Sequence, residues 1–203
     1  NLRELDGVPL ISRCIRKCLK AGVFDEIWVN SESEVFRDFA EAEGVFFHQR
    51  PESLGNNQAT SEQFVGEFLT NHSCDLVVQV HSIAPLLSIH DIRSFVDTFR
   101  SGQYDCLVSS EEIQIECAYK CKPVNFSFKQ KTNSQDLEPV QRISWSITGW
   151  RRDTFLQAHG RGACATYAGK VGFHPVSRMA SHVIKTEEDL KLAEALLPLC
   201  DGV

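Results

Sequence analysis

The sequence predicts an α/β fold, a doubly wound and mostly parallel sheet, and three observations lead there. Short apolar runs such as Glu26–Asn30 (EIWVN), Val45–His48 (VFFH) and Asp75–Val80 (DLVVQV) alternate with amphipathic segments of helical period. Gly22 and Gly44 close the first two helical segments before the next run begins, the rhythm of strands joined by right-handed crossovers. A polar stretch between Ile113 and Ile143 then breaks that rhythm, which resumes beyond it.

In order, Pro9 to Ala21 reads as a helix: Pro9 suits the first turn, and Leu10, Cys14, Ile15, Cys18 and Leu19 form the stripe. A buried strand at Glu26–Asn30 is followed by a helix from Ser33 to Glu43 and a strand at Val45–His48. A third helix covers Ser61 to Asn71, and the strand Asp75–Val80 leads into a loop from His81 to Leu87. A helix from Ile89 to Ser101 and a strand at Asp105–Ser109 come next. At about 113–142 an arm or hairpin leaves the sheet, with extended alternation at Val124, Phe126 and Phe128. Trp145–Trp150, a helix near Asp153–His159, a strand at Lys170–His174 and a helix from Glu187 to Leu197 complete the pattern. Thr186 is a good N-cap for the last helix, and Glu187, Glu188 and Asp189 place negative charge in its first turn. Without repeats or low-complexity segments, residues 1–203 read as one domain.

Composition sets the limits. The chain has 203 residues and 22.9 kDa, 24% charged and 42% hydrophobic with mean hydropathy −0.20, which excludes a disordered chain. No apolar run approaches the ~18 residues of a membrane span, and Asn1 to Gly7 shows no signal-peptide h-region. A net charge of −6, with no Lys/Arg block longer than a pair, argues against a nucleic-acid partner. The eight cysteines form no CxxC pair and lack zinc-ligand spacing, so they read as reduced thiols of a cytoplasmic protein and no metal site is assigned.

In open α/β sheets a ligand sits beyond the carboxyl ends of the strands, where the loops Asn30–Ser33, His48–Leu54, His81–Leu87 and Ser109–Glu112 fall. No Gly-rich phosphate loop of either common type is present. The opening NLRELDGVPLI, the arm segment QDLEPVQR and the closing TEEDLKLAEALL, with Arg50-Pro51, DLVVQV…PLL, RRDTFL and GKVGF between them, resemble the sugar-acid cytidylyltransferases, the CMP-sialic acid synthetase family. The resemblance implies a Rossmann-like nucleotidyltransferase fold and transfer of CMP from CTP to an acidic, nonulosonic sugar. It further implies Mg²⁺ as cofactor and a homodimer built through the arm.

Carried over residue by residue, the resemblance implies nucleotide contacts from Asn1, Arg50 and His81, and sugar contacts from Gln135, Asp136 and Arg142. An arginine fork suits a sugar carboxylate. A strand-end histidine such as His81 serves equally as a structural hydrogen-bonder. Lys129 and Lys131 read as a solvated face, and Glu187, Glu188 and Asp189 as capping acids. Family members open with a strand and a basic, Gly-rich loop of the type ARGGSKG. This chain starts after it, at Asn1, so either a longer protein supplies both or this copy has lost them. Three motifs depart from the pattern: His81-Ser82-Ile83-Ala84-Pro85 for QPTSP, Ile143-Ser144-Trp145 for an ENG turn, and Val183 and Lys185 for two metal-binding aspartates. Val183 offers no oxygen and Lys185 brings positive charge, so the catalytic residues stay unassigned and a non-catalytic binding or assembly subunit is the alternative.

Overall fold

The computed structural model describes residues 2–56 and 58–200. The chain enters through a hairpin of β1 (Glu4–Leu5) and β2 (Val8–Pro9), turned by Asp6 and Gly7 at φ 52° and 67°. Positive φ at both central residues matches the twist of a two-residue hairpin. In α1 (Leu10–Ala21), Leu10, Ile15 and Cys18 are buried as the stripe predicts, but Leu19 is 44% exposed and Lys17 is inside in its place. Positions 10, 14, 17, 18 and 21 share one helical face and 19 falls off it, which corrects the predicted stripe.

β3 (Trp28–Ser31) and β4 (Phe46–Gln49) flank α2 (Val35–Ala42) and pair in parallel, Trp28 opposite Phe46. α3 (Ser61–Asn71) opens on a capping box between Thr60 and Gln63, and β5 (Leu76–Val80) follows it. A second box, Ser88 with Asp91, starts α4 (Ile89–Arg100). Then come β6 (Cys106–Ile113), the arm hairpin of β7 (Ala118–Tyr119) and β8 (Lys122–Pro123), β9 (Val140–Arg151), α5 (Arg152–Gly160) and β10 (Val171–Pro175). The predicted cap Thr186 forms a third box with Asp189 and starts α6 (Glu187–Leu196).

Four strands form the central sheet in the order β10-β6-β9-β5. β10 runs parallel to β6, and β9 runs antiparallel to both of its neighbours. The sheet is α/β but mixed, which corrects the expectation of a mostly parallel one. β6 and β9 are joined by the arm rather than by a crossover helix, so β9 returns as a hairpin partner. β3 and β4 form a ladder of their own. Ile113 pairs with Val140, so the arm proper spans 114–139. Its root is pinned by Asn125, which accepts from the Cys117 N–H (2.8 Å) and donates to the carbonyls of Ile115 (2.8 Å) and Glu138 (2.9 Å).

Alternation along β6 sends residues to both faces of the sheet. Leu107 joins Ile147, Phe95 and Phe99 on the α4 side, while Cys106 and Val108 join Val65, Leu69, Trp150 and Phe155 on the side of α3 and α5. Gly149 of β9 lies under Phe99: a Cβ there would stand 2.7 Å from the ring, so the glycine lets α4 seat its aromatic pair on the sheet. The outcome is a central sheet covered on both faces, with loops following the carboxyl ends of β5, β6 and β10 and of the separate β3–β4 ladder.

Candidate functional site

Two of those strand ends hold a connected group. Asn30, in β3, and Arg50, just after β4, meet because their strands pair in register. The Arg50 guanidinium stacks on the Phe64 ring of α3 at 4.7 Å, donates to Glu32 Oε2 (2.6 Å) and reaches the Asn30 carbonyl (3.2 Å). Its Nε is buried with no partner, and so is Asn30 Oδ1. At the end of β5, the His81 backbone N–H donates to Ser146 O (3.0 Å) while its Nε2 is buried and unpaired. Burial pulls the imidazole down to about 4, so it is neutral at physiological pH. Among the described residues, five buried side-chain polar atoms lack a partner, and three of them are these. An unsatisfied buried polar group costs about 1–3 kcal/mol, so their concentration at strand ends points to a polar ligand.

Between β6 and β9 the ladder is interrupted. Val108 pairs with Thr148 but Ser110 with Ile143, so Ser144 to Ile147 bulge opposite Ser109 alone. The Ser109 hydroxyl fills the gap, accepting from the backbone N–H groups of Ser146 (3.0 Å) and Ile147 (3.1 Å) and from the Ser144 hydroxyl (2.9 Å). Trp145, at φ 58°, turns its ring toward Tyr167 with centroids 6.0 Å apart. Bulges beside sites redirect side chains, and this one holds the Ser146 carbonyl where the His81 N–H meets it.

The predicted sugar contacts fall on two elements, Arg142 on β9 and Gln135 and Asp136 on a turn of the arm. Arg142 lies opposite Glu111 in the β6–β9 ladder and gives it a hydrogen bond from Nε (3.0 Å) and a second from its terminal nitrogen. Glu111 also accepts from Ser181 Oγ (3.1 Å) and has Arg178 at 3.8 Å. Burial pushes the Glu111 carboxyl upward, but the bonds from Arg142 and Ser181 outweigh it and hold the group below its ordinary value. Gln135 and Asp136 lie exposed on a 3₁₀ turn, Ser134–Asp136, tied to the arm root by Gln114, which donates to Gln135 O (2.9 Å) and Leu137 O (3.2 Å). No hydrogen bond or ion pair joins either of them to Arg142 among the described residues. Asn1 lies outside those residues.

The position at Val183 and Lys185 does not fit Mg²⁺. Val183 packs half-buried against the Phe95–Phe99 cluster, and Lys185 is exposed. The nearby Asp189 carboxylate accepts from Lys185 N (2.9 Å), Thr186 N (2.8 Å) and Thr186 Oγ1 (2.9 Å), so its oxygen is spent on the helix cap. Glu187 pairs instead with Arg3 at 2.5 Å. Sequence reasoning missed Asn30, Glu32 and Phe64 as parts of the Arg50 group. The strand-end loop at Asn30 was the available signal, while the stacking on Phe64 had none.

Fold and site together define a nucleotidyltransferase-type α/β protein. The chain belongs to the cytidylyltransferase family, whose model matches residues 1–196. It is 29% identical over 182 residues to the N-acylneuraminate cytidylyltransferase of Streptococcus agalactiae serotype V, covering 83% of this chain and 43% of that protein. It is 27% identical over 150 residues to N-acylneuraminate cytidylyltransferase A of Danio rerio, covering 72% and 34%. The chain thus spans less than half the length of these relatives. In fold it is similar to 4-diphosphocytidyl-2C-methyl-D-erythritol synthase of Anaerococcus prevotii (TM-score 0.71, 14% identity, 96% of this chain and 91% of that one). It is equally similar to a CMP:2-keto-3-deoxy-manno-octonic acid synthetase solved with CTP (TM-score 0.71, 14% identity, 98% and 91%).

Proposed function

We propose that the chain is the nucleotide-binding part of a cytidylyltransferase that transfers CMP from CTP to an acidic, nonulosonic sugar. The observation that carries this reading is the set of unpaired buried polar atoms, Asn30 Oδ1, Arg50 Nε and His81 Nε2, at strand ends of a cytidylyltransferase-family chain. A pyrimidine edge offers both the acceptor that Arg50 Nε lacks and the donor that Asn30 Oδ1 lacks. In the reaction, a sugar hydroxyl oxygen forms a bond to the α-phosphorus, and the bond to the β-phosphate oxygen breaks, releasing pyrophosphate. Arg142 is the group proposed to receive the sugar carboxylate, sharing its fork with Glu111.

The arm supports a homodimer. Ile115, Tyr119, Val124 and Phe128 are 55–73% exposed on it, and exposed apolar patches mark interfaces. The lack of a disulfide among Cys14, Cys18, Cys74, Cys106, Cys117, Cys121 and Cys164 supports a cytoplasmic setting, and no helix among the described residues is long and apolar enough to cross a membrane. A second reading, a subunit that binds without turnover, is favoured by one observation: half-buried Val183 and exposed Lys185 stand where the resemblance implies metal ligands. Isothermal calorimetry with CTP, run beside a pyrophosphate-release assay with nonulosonic acids, tests both. Binding with release supports the enzyme, binding alone supports the subunit, and no binding removes the nucleotide reading.

A further inference from the structure

Lys17 is the least expected side chain of the interior. It lies on the apolar face of α1, 5% exposed, and its ammonium donates to the carbonyls of Pro85 and of Leu87, the latter at 2.9 Å. Among the described residues no carboxylate faces it. The titratable and charged groups around it are Arg13, Cys14 and Cys18 of its own helix and Cys200 beyond α6. Burial accordingly pulls the amine down to about 8. A buried ammonium with no carboxylate partner among the described residues adds little to a core that an apolar side chain would not, so its place is explained by what it holds.

It holds the loop 81–87. The other ties of that loop are two turns, Ala84 N–H to His81 O (3.0 Å) and Leu87 N–H to Ala84 O (3.2 Å), and two long-range bonds, His81 N–H to Ser146 O (3.0 Å) at its start and Ile184 N–H to Ile83 O (2.8 Å), so past Ile83 Lys17 is what ties the loop to another element. His81 opens the loop, and its imidazole is displaced from the ordinary range by burial alone, with no charged neighbour contributing. The state of that ring therefore reports how well the loop is seated.

We infer that Lys17 is the positioning residue of this loop: by clamping Pro85 and Leu87 it seats the turn that keeps His81 buried at the carboxyl end of β5. The inference rests on the nucleotide reading only for what that seat is used for; the clamp stands without it. The test is a proton NMR titration of His81 in the parent chain, Lys17→Met and Lys17→Arg. In Lys17→Met the His81 midpoint rises by about one pH unit or more toward its ordinary value. Exchange of the Ala84 and Leu87 amides quickens about tenfold, and Lys17→Arg reverses both. Should Lys17→Met not fold, Lys17→Gln keeps an N–H donor on a shorter stem and shows a smaller shift in the same direction. Leu69→Ala, which empties the opposite face of the sheet, lowers the melting temperature but leaves His81 in place. An unchanged His81 midpoint in the neutral variants overturns the inference. If His81 follows Lys17 while the parent chain fails to bind CTP, the nucleotide reading falls and the clamp stands. If CTP binds and His81 does not move, the clamp falls and the nucleotide reading stands.

Discussion

Arg50 lies with its guanidinium 4.7 Å above the centre of the Phe64 ring, holds Glu32 with one terminal nitrogen, and leaves Nε without a partner. Stacking and the ion pair fix the plane of the fork before any ligand arrives, so little side-chain freedom remains to be lost on binding. Lysine has neither the plane nor the second donor direction. Arg50→Lys is therefore expected to weaken CTP binding nearly as much as Arg50→Ala, both by about tenfold or more, the weight of one hydrogen bond to a charged group. Calorimetry reads the difference, and full affinity in Arg50→Lys would remove the stacked fork from the site.

His81 gives the fold a pH dependence of known sign. Its folded value, about 4, lies below its ordinary 6.5. Below pH 6.5 the unfolded chain takes up a proton that the folded chain refuses, so stability is full above that pH and is lost as pH falls toward 4. The loss amounts to about 3 kcal/mol across the window. His72 and His174 are also lowered by burial and act in the same direction, but both remain in a His81→Gln variant and cancel in the comparison. Urea unfolding at pH 7 and pH 4.5 should show a smaller acid loss in His81→Gln than in the parent. Equal losses would mean that His81 is solvated.

How much of this was legible in the sequence depended on the kind of signal. α3 runs from Ser61 to Asn71 as its sequence predicts, and the folded chain closes a capping box between Thr60 and Gln63 at its start. Thr186 and Asp189 do the same for α6. Strand direction left no trace: alternation along β9 is the same whichever way it runs, and only the arm hinted that it returns beside β6. The bulge at Ser144–Ile147 was equally silent, since it is held by one distant hydroxyl, Ser109. At the site, Arg50 and His81 came from the family resemblance, and the strand-end rule independently marked the loops that carry them. Gln135 and Asp136 came from motif wording alone, and they lie exposed with no tie to Arg142. Lys17 was missed, because the apolar stripe reads through Leu19 and nothing local says that a lysine meets the carbonyls of Pro85 and Leu87.

Gly149 predicts a packing defect that is easy to isolate. An added Cβ would meet Phe99 at 2.7 and 2.8 Å and Phe95 at 3.3 Å, and both rings are wholly buried. Neither ring has free volume to retreat into. Gly149→Ala should therefore destabilise the chain by about 1–3 kcal/mol, the usual result of overpacking. Chemical denaturation measures it. Pairing the substitution with Phe99→Leu should recover part of the loss, and a double variant no more stable than the sum of the singles would show that the clash lies elsewhere.

The arm predicts an association. Phe128 is 73% exposed and stacks edge-on with Phe126 at 5.6 Å, so the pair presents a ready apolar knob. Lys120 and Cys121, at φ 48° and 61°, form the tip of the hairpin and project it from the sheet. Light scattering at micromolar concentration should give the mass of a dimer, and Phe128→Glu should give a monomer with the melting behaviour of the isolated chain. A monomeric parent would refute the dimer.

The last prediction concerns turnover. Where the resemblance implies two aspartates on Mg²⁺, Val183 packs into the Phe95–Phe99 cluster and Lys185 is committed by its backbone to the α6 cap. Neither can be converted by a small rotation: Val183 has no oxygen, and the Asp189 oxygen within reach already accepts three donors. A cytidylyl transfer concentrates negative charge on the leaving pyrophosphate, and loss of one electrostatic contact at such a centre typically lowers the rate about a hundredfold or more. The 203-residue chain is therefore expected to show little or no Mg²⁺-dependent pyrophosphate release from CTP with any of a panel of nonulosonic acids. Lys185→Asp should fold normally because its side chain is exposed, whereas Val183→Asp should lower stability by about 1–3 kcal/mol, the penalty of a polar group pressed against an apolar cluster. The double variant, extended by a family-type N-terminal segment, is the chain in which metal-dependent turnover should appear. Robust Mg²⁺-dependent turnover by the unmodified chain would show that other groups hold the metal and that Val183 and Lys185 do not mark its place.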